Sequence, residues 1–165
     1  MQMNKFKKQM NTIFGILVFT IIITANSQAG TEINLSKGQT VYVSVYNHIY
    51  SGLQGRPFDL ATTLSIRNTD LKNPISIVSV NFYSTDGKLL KEYNKVPLQL
   101  KALVSKRYII PEAEISGGSG AYFILKWKSE NKVNPPIIEA IMIGTRSGQG
   151  ISFVSSGQVV KEQTE

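Results

Sequence analysis

Apolar and polar residues alternate along much of the chain after Thr40. Val41, Val43 and Val45 share one face of the run that begins at Thr40, and this two-residue period is typical of a half-buried β-strand. Alternation or β-branched and aromatic content predicts further strands at residues 64–67, 75–83, 88–93, 108–110, 122–128, 137–143 and 151–154. No segment shows a helical stripe with caps.

Turn-forming residues separate these runs. Asp86-Gly87 is a hairpin signal, and four further turns are predicted at Asn73-Pro74, Gly117–Gly120, Asn134–Pro136 and Gly148–Gly150. Many short strands joined by such turns predict an all-β fold. We expect a single immunoglobulin-like or fibronectin-like β-sandwich of about 7–9 strands over residues 40–160, with a closed barrel as the alternative.

Three positions refine this fold. Pro97 cannot donate to a central ladder, so residues 96–100 are expected at a sheet edge or at a crossing between sheets. Trp127 is expected in the core. Glu139 interrupts an apolar strand, so it is expected to face solvent or to pair with a base such as Arg67 or Lys126.

The first 29 residues have the three parts of an export signal. Lys5, Lys7 and Lys8 precede an apolar run from Ile13 to Ala25, and Ser27-Gln28-Ala29 offers a cleavage site. The run of about 13 residues is shorter than the about 20 that span a bilayer. We expect a cleaved signal-peptide helix at residues 1–29, a linker at 30–39, a frayed tail at 161–165, and a periplasmic or extracellular product. An uncleaved, membrane-tethered signal is the alternative.

Charge and cysteine content describe the exported product. The 165-residue chain has 18 basic and 11 acidic side chains and no cysteine, so it has neither disulfides nor a cysteine-linked lipid. Removal of residues 1–29 takes away three lysines and lowers the net charge from +7 to +4. This mild positive charge suits an anionic surface polymer, or simple solubility. No nucleic-acid partner is expected.

Catalytic and cofactor motifs are not recognisable in the chain. His48 is the single histidine, and no serine lies in a G-x-S-x-G context. With one histidine and no cysteine, a zinc or copper site is not expected. Gly117–Gly120 lacks the lysine and the following helix of a phosphate-binding loop. We therefore predict no catalytic residue, no metal and no cofactor.

Two segments are candidates for ligand binding. Aromatic and charged side chains gather between residues 46 and 60, and Gly144–Gly150 is predicted to be a connection longer than a tight hairpin, with a cation and flexible glycines. The candidate residues are Tyr46, His48, Tyr50, Arg56, Asp59, Arg146 and Gln149. A shared pocket requires both segments at one end of the domain. The alternative is that both are ordinary connections that pack on the sandwich.

Several longer motifs together resemble a known family. They are Val43–Tyr50, Gly55–Phe58, Thr63–Asp70, Gly117–Ala121, Val133–Pro136, Glu139–Thr145 and Gly148–Phe153. Over nearly all of residues 40–160 the chain resembles a bacterial family catalogued as domain of unknown function 3124. The resemblance implies an exported bacterial protein and a single domain, and it implies no reaction and no catalytic residue.

The sequence thus favours a non-enzymatic binding or structural module of the bacterial cell envelope. Its partner would be an envelope protein or an anionic surface polymer, with membrane contact only through an uncleaved signal. One alternative is a hydrolase of envelope polymers, which would need two carboxyl groups facing each other across a cleft. Another is an accessory subunit that pairs through an exposed sheet edge.

Overall fold

The computed structural model of this chain describes Met3 and residues 34–51, 55–146 and 148–163. The chain divides into two compact units, Met1–Ile33 and Asn34–Glu165. The predicted signal segment, apart from Met3, lies outside the described residues. Within the described ranges, no helix has the length and apolar character needed to cross a bilayer.

The described residues form twelve strands. They are β1 (Ser36–Val45), β2 (His48–Ser51), β3 (Arg56–Asp59), β4 (Ala61–Arg67), β5 (Ile75–Tyr83), β6 (Leu89–Glu92), β7 (Leu98–Leu100), β8 (Ser105–Ile110), β9 (Ala121–Val133), β10 (Ile137–Arg146), β11 (Gln149–Ser156) and β12 (Gln158–Glu162). All eight strands expected from the sequence are among them. The four others are short or polar, so they carry little periodic signal.

The strands form two main sheets and one small hairpin. The first sheet has the order β12-β1-β9-β5-β6, with β7 also paired to β5, and the second has the order β11-β10-β4-β8. β2 and β3 pair only with each other in the described chain. Every described pairing is antiparallel. Inward side chains of both sheets share one hydrophobic core, so the predicted all-β sandwich is confirmed.

The strand order has one particular feature. The pairs β4–β8 and β5–β9 match the B–E and C–F pairs of an immunoglobulin-like sandwich. However, β1 lies beside β9 and β10 beside β4. In an immunoglobulin-like sandwich the first strand lies beside B and the last lies beside F. β1 and β10 have exchanged these partners.

Alternation selects the buried face of each long strand. Val41, Val43 and Val45 are buried on β1, as the pattern predicts, and Trp127 is fully buried on β9. Glu139 of β10 forms an ion pair with Arg67 of β4, with 2.8 Å between Nη2 and Oε1. Of the two bases considered as partners, the cross-strand arginine is the one that contacts it.

The segment around Pro97 lies at a sheet edge, as predicted. β6 and β7 pair with the two halves of β5, with Asn81 opposite Glu92 and Ile77 opposite Leu98. Residues 101–104 then connect β7 to β8, which belongs to the other sheet. This edge is therefore also the place where the chain crosses between sheets.

Two predicted boundaries are wrong. β1 begins at Ser36, inside the expected linker, and β12 includes Lys161 and Glu162, which were expected to be frayed. Thr40 pairs with Lys161 and Gln39 with Glu162. The Glu162 carboxylate also accepts hydrogen bonds from Ser36 Oγ (2.8 Å) and Gln39 Nε2 (2.6 Å). Edge pairing through backbone and polar side chains needs no apolar alternation, so hydropathy does not reveal it.

The two ends of the sandwich carry different connections, and we name each end by them. The hairpin end has the β2–β3 hairpin, the turn 84–88 and the loop 111–120, next to the paired residues Val45 and Ala121. The loop end has the loops 68–74, 101–104 and 134–136, next to the paired residues Arg67 and Ile137.

Candidate functional site at the hairpin end

The first candidate segment is a β-hairpin, not an irregular loop. β2 and β3 pair with His48 opposite Asp59 and Ile49 opposite Phe58. Phe58 is buried and Ile49 packs against the core. This apolar pair anchors one face of the hairpin and directs the neighbouring polar side chains outward.

The second candidate segment is a tight hairpin, which corrects the prediction of a longer connection. β10 and β11 remain paired as far as Arg146 and Gln149, so the connection between the two strands is two residues long. Gly148 has a φ of 80°, as two-residue hairpin turns require. The predicted binding loop is thus the tip of a regular hairpin.

The two hairpins lie against each other. Arg146 Nη1 donates a hydrogen bond of 2.9 Å to the carbonyl oxygen of Pro57. A Cβ at Gly144 would lie 2.6 Å from the Asp59 carbonyl oxygen, so glycine at this position allows β3 to approach β10 closely. The two segments are therefore at the same end of the domain, which is the geometric condition for a shared site.

The seven candidate residues have different surroundings. Tyr46 is half-buried, and its ring meets Phe153 edge-on at 5.7 Å. His48 and Tyr50 form an aromatic pair, with 3.3 Å between Nε2 and the phenol oxygen. Tyr50 is 64 % exposed, and Arg56, Asp59, Arg146 and Gln149 are exposed as well.

These contacts divide the candidates by what they can do. Tyr46 contributes to packing. Arg146 uses one of its five N–H donors to hold the β2–β3 hairpin. The His48–Tyr50 pair presents an apolar ring and polar atoms to solvent. The adjoining hairpins therefore form an exposed surface with aromatic, cationic and amide groups, which is suited to recognition.

Sequence reasoning missed the importance of Asn47. Its side chain is fully buried, its backbone N–H donates to the Gly118 carbonyl (3.1 Å), and its carbonyl accepts from the Leu60 N–H (2.8 Å). Its side-chain amide also donates to the Glu114 carbonyl. Asn47 thus joins the start of the β2–β3 hairpin to its end and to loop 111–120.

The glycine-rich stretch 117–120 packs against the protein itself. Thr85 Oγ1 donates to the Gly117 carbonyl (3.0 Å) and accepts from the Gly120 N–H (3.0 Å). A Cβ at Gly117 would lie 2.1 Å from Asn47 Oδ1 and 2.7 Å from the Phe82 ring. The stretch is therefore a packed junction next to Asn47, where the β2–β3 hairpin begins.

A small cleft of about 140 Å³ also opens near this end, between β6 and loop 111–120. Phe82, Tyr93 and Ile110 contribute apolar walls, and Lys91 and Glu114 contribute charges. The Ser116 hydroxyl, the Ser116 N–H and the Lys91 charge lower the pKa of Glu114. Burial, and to a lesser extent the Glu114 charge, raises the pKa of Tyr93. The seven candidate residues do not line this cleft.

No group of three or more potential metal ligands was found among the described residues. Three acidic side chains of the described residues bind groups of the protein itself. Asp70 binds backbone N–H groups, Glu114 binds Ser116, and Glu139 binds Arg67. The hairpin surface is thus the feature that most resembles a recognition site.

Comparisons with known proteins give a family and a weak structural likeness. The sequence model of a family described as "Protein of unknown function (DUF3124)" matches residues 38–160. No curated protein matches the chain. The fold is similar to a structure titled "Crystal Structure of Thermotoga maritima 1070", with a TM-score of 0.47 and 15% sequence identity over 76% of this chain and 97% of that chain.

Proposed function

The chain belongs to the DUF3124 family of proteins of unknown function, and we propose that it is a non-enzymatic binding module of the bacterial cell envelope. The proposed site is the surface that the β2–β3 and β10–β11 hairpins form together. The proposal of export rests on the tripartite signal pattern of residues 1–29, and it places the module in the periplasm or outside the cell.

One observation carries the proposed site. The Arg146–Pro57 hydrogen bond and the close approach at Gly144 hold two separate hairpins in contact. The exposed Tyr50 ring and the cations of both hairpins are thereby presented on elements fixed by backbone pairing. A tyrosine with two side-chain torsions loses little conformational freedom when a ligand binds, and exposed aromatic and arginine side chains are common in recognition surfaces.

The proposed ligand is an anionic polymer of the cell surface. Arg56 and Arg146 carry positive charge, and Gln149 offers a neutral donor and acceptor. Tyr50 adds an exposed ring that can pack against a sugar or another apolar part of the polymer. A polyanion is favoured over a neutral glycan because the candidate residues of this surface include two arginines, Arg56 and Arg146, and one acid, Asp59.

Binding to polygalacturonate and to polyphosphate, with neutral dextran as the reference, tests this proposal. We expect Tyr50→Ala to weaken binding about threefold to tenfold, because an exposed aromatic contact contributes about 1 kcal/mol. Arg146→Ala should weaken binding and also lower the melting temperature, because it releases the β2–β3 hairpin.

Ile115→Ala is the matched control, since Ile115 is also exposed at the hairpin end and lies outside the proposed surface. It should leave both binding and melting unchanged. Equal binding of the wild type to dextran and to the polyanions would contradict the proposal, and so would equal binding by Tyr50→Ala and the wild type.

A further inference from the structure

A leucine in a strained turn marks the loop end of the sandwich. Lys101–Val104 forms a turn closed by a hydrogen bond of 3.2 Å from the Val104 N–H to the Lys101 carbonyl. Leu103 has a φ of 61° and is 63 % exposed. Turns with positive φ at this position favour glycine or asparagine. The chain therefore holds an apolar side chain in water, in a backbone conformation that leucine rarely adopts.

A second exposed leucine lies on the adjacent loop. Leu71 is 73 % exposed. Asn68 fixes its loop to the Lys101–Val104 turn, since the Asn68 N–H donates to the Val104 carbonyl (3.0 Å) and the side-chain amide donates to the carbonyls of Lys101 (3.1 Å) and Asn73 (2.9 Å). The two leucines thus project from loops that are tied to each other.

Lysines lie close in sequence to both leucines. Lys72 follows Leu71 directly, Lys101 lies two residues before Leu103, and both lysines are exposed. The edge segment 88–107 holds six of the fifteen bases and one of the eleven acids of residues 30–165. The rest of that region has nine bases and ten acids, so the positive excess lies along this edge. Lys101, Lys106 and Arg107 are on the side of the loop end, and Lys88 and Lys91 are on the side of the hairpin end. Asp70 adds one negative charge to this loop, but its side chain is buried, and its carboxylate accepts the N–H groups of Lys72 (2.9 Å) and Asn73 (2.8 Å).

We propose that this corner, formed by Leu71, Lys72, Lys101, Leu103 and Val104, docks on the surface of an anionic lipid bilayer. Leucines at rigid loop tips can enter the boundary between headgroups and acyl chains while the lysines contact anionic headgroups. A soluble polyanion would bind the lysines but leave the leucines in water. The apolar and cationic groups together therefore favour a lipid surface. The corner and the hairpin surface lie at opposite ends of the domain, so one chain can engage both.

Sedimentation with vesicles tests the proposal. Vesicles of phosphatidylcholine alone are compared with vesicles that also contain phosphatidylglycerol, and every variant carries the same N-terminal segment as the wild type. Leu71→Asn/Leu103→Asn should weaken binding to the anionic vesicles at least about tenfold, because asparagine cannot replace the apolar surface that each leucine buries in the bilayer. Lys72→Gln/Lys101→Gln should weaken it about fivefold per charge and leave binding to neutral vesicles unchanged.

Two matched variants keep the test specific. Ile115→Asn removes an equally exposed apolar side chain from the hairpin end, and it should bind the anionic vesicles like the wild type. Tyr50→Ala should also bind them normally, which separates this proposal from the polymer site. Asparagine suits the positive φ at residue 103, so Leu103→Asn should melt no lower than the wild type, and lost binding cannot then be attributed to unfolding.

Three results would overturn the proposal. One is wild-type binding by the double leucine variant. Another is equal wild-type binding to neutral and anionic vesicles. The third is binding to soluble polyphosphate that falls with the lysine substitutions while vesicle binding is absent, which would assign the corner to a free polyanion.

Discussion

At the scale of single residues, the hairpin end depends on a few close contacts around Asn47. The motifs Tyr46–Tyr50 and Gly117–Gly120 are far apart in sequence, yet Asn47 bonds directly to this glycine stretch. Asn47 Oδ1 has no hydrogen-bond partner among the described residues, so the contact depends on tight packing as well as on polar bonds. The glycine stretch therefore supports the hairpin surface through Asn47 without contributing any of its candidate residues.

Gly117→Ala should disrupt this junction. The added methyl group would overlap Asn47 Oδ1 and the Phe82 ring, and overpacking of this kind costs about 1–3 kcal/mol in unfolding free energy. Urea denaturation measures the loss. Gly150→Ala is the control, because a Cβ there would meet no atom within 4 Å. Equal stability of the two variants would refute the packing role of Gly117.

At the scale of elements, the loop end is organised by one carboxylate. Asp70 Oδ1 accepts the N–H groups of Lys72 and Asn73, and Oδ2 accepts the Asn134 N–H at 3.3 Å. Thr69 Oγ1 also donates to the Pro135 carbonyl. Loop 68–74 is thereby joined to loop 134–136, and through Asn68 to the Lys101–Val104 turn. These bonds hold the proposed membrane corner in place.

The backbone N–H groups of Lys72 and Asn73 lower the pKa of Asp70 below 3.8, its value in an unfolded chain. A lowered native pKa stabilises the fold above the unfolded pKa, and this contribution is lost as the pH falls through the native pKa. Asp70→Asn should therefore melt below the wild type near neutral pH, and the difference should shrink below about pH 3.8.

Thermal melts across acidic pH check this expectation. Asp86→Asn changes an exposed carboxyl at the turn 84–88, and it should melt like the wild type at neutral pH. A gap between Asp70→Asn and the wild type that stays constant at every pH would contradict a role for the ionised carboxylate.

At the scale of the whole molecule, both sheets depend on one core. Trp127 of β9 is fully buried, as are Leu64 and Ile66 of β4, and these residues belong to the same cluster. Neither sheet can keep its inner face buried without the other. The described domain should therefore behave as one cooperative unit.

Urea unfolding tests this cooperativity, because Trp127 is the sole tryptophan and its emission reports on the core. We expect its red shift and the loss of far-ultraviolet circular dichroism to share one midpoint, since both sheets separate together. Two distinct midpoints would show that one sheet survives the loss of the other.

The sequence predicted more of the fold than of the candidate site. Strands such as β1 and β5 were predictable, because their inward residues repeat every second position. β2, β3 and β12 were not, since short or edge strands are held by backbone pairing that leaves no apolar period. For the candidate surface, the sequence indicated the two segments. Only the structure showed that Arg146 donates a hydrogen bond to the Pro57 carbonyl. It also showed that glycine at position 144 allows β3 to lie close to β10.

By itself, the sequence determined the all-β class, the long strands, the turns between them and the absence of disulfides. These are local properties, set by residue type and by the two-residue period. Only the tertiary structure decided that β1 pairs with β9, that the two hairpins meet, and that Leu71 and Leu103 project from one corner. Such partnerships depend on the energies of contacts between distant parts of the chain, which no local pattern records.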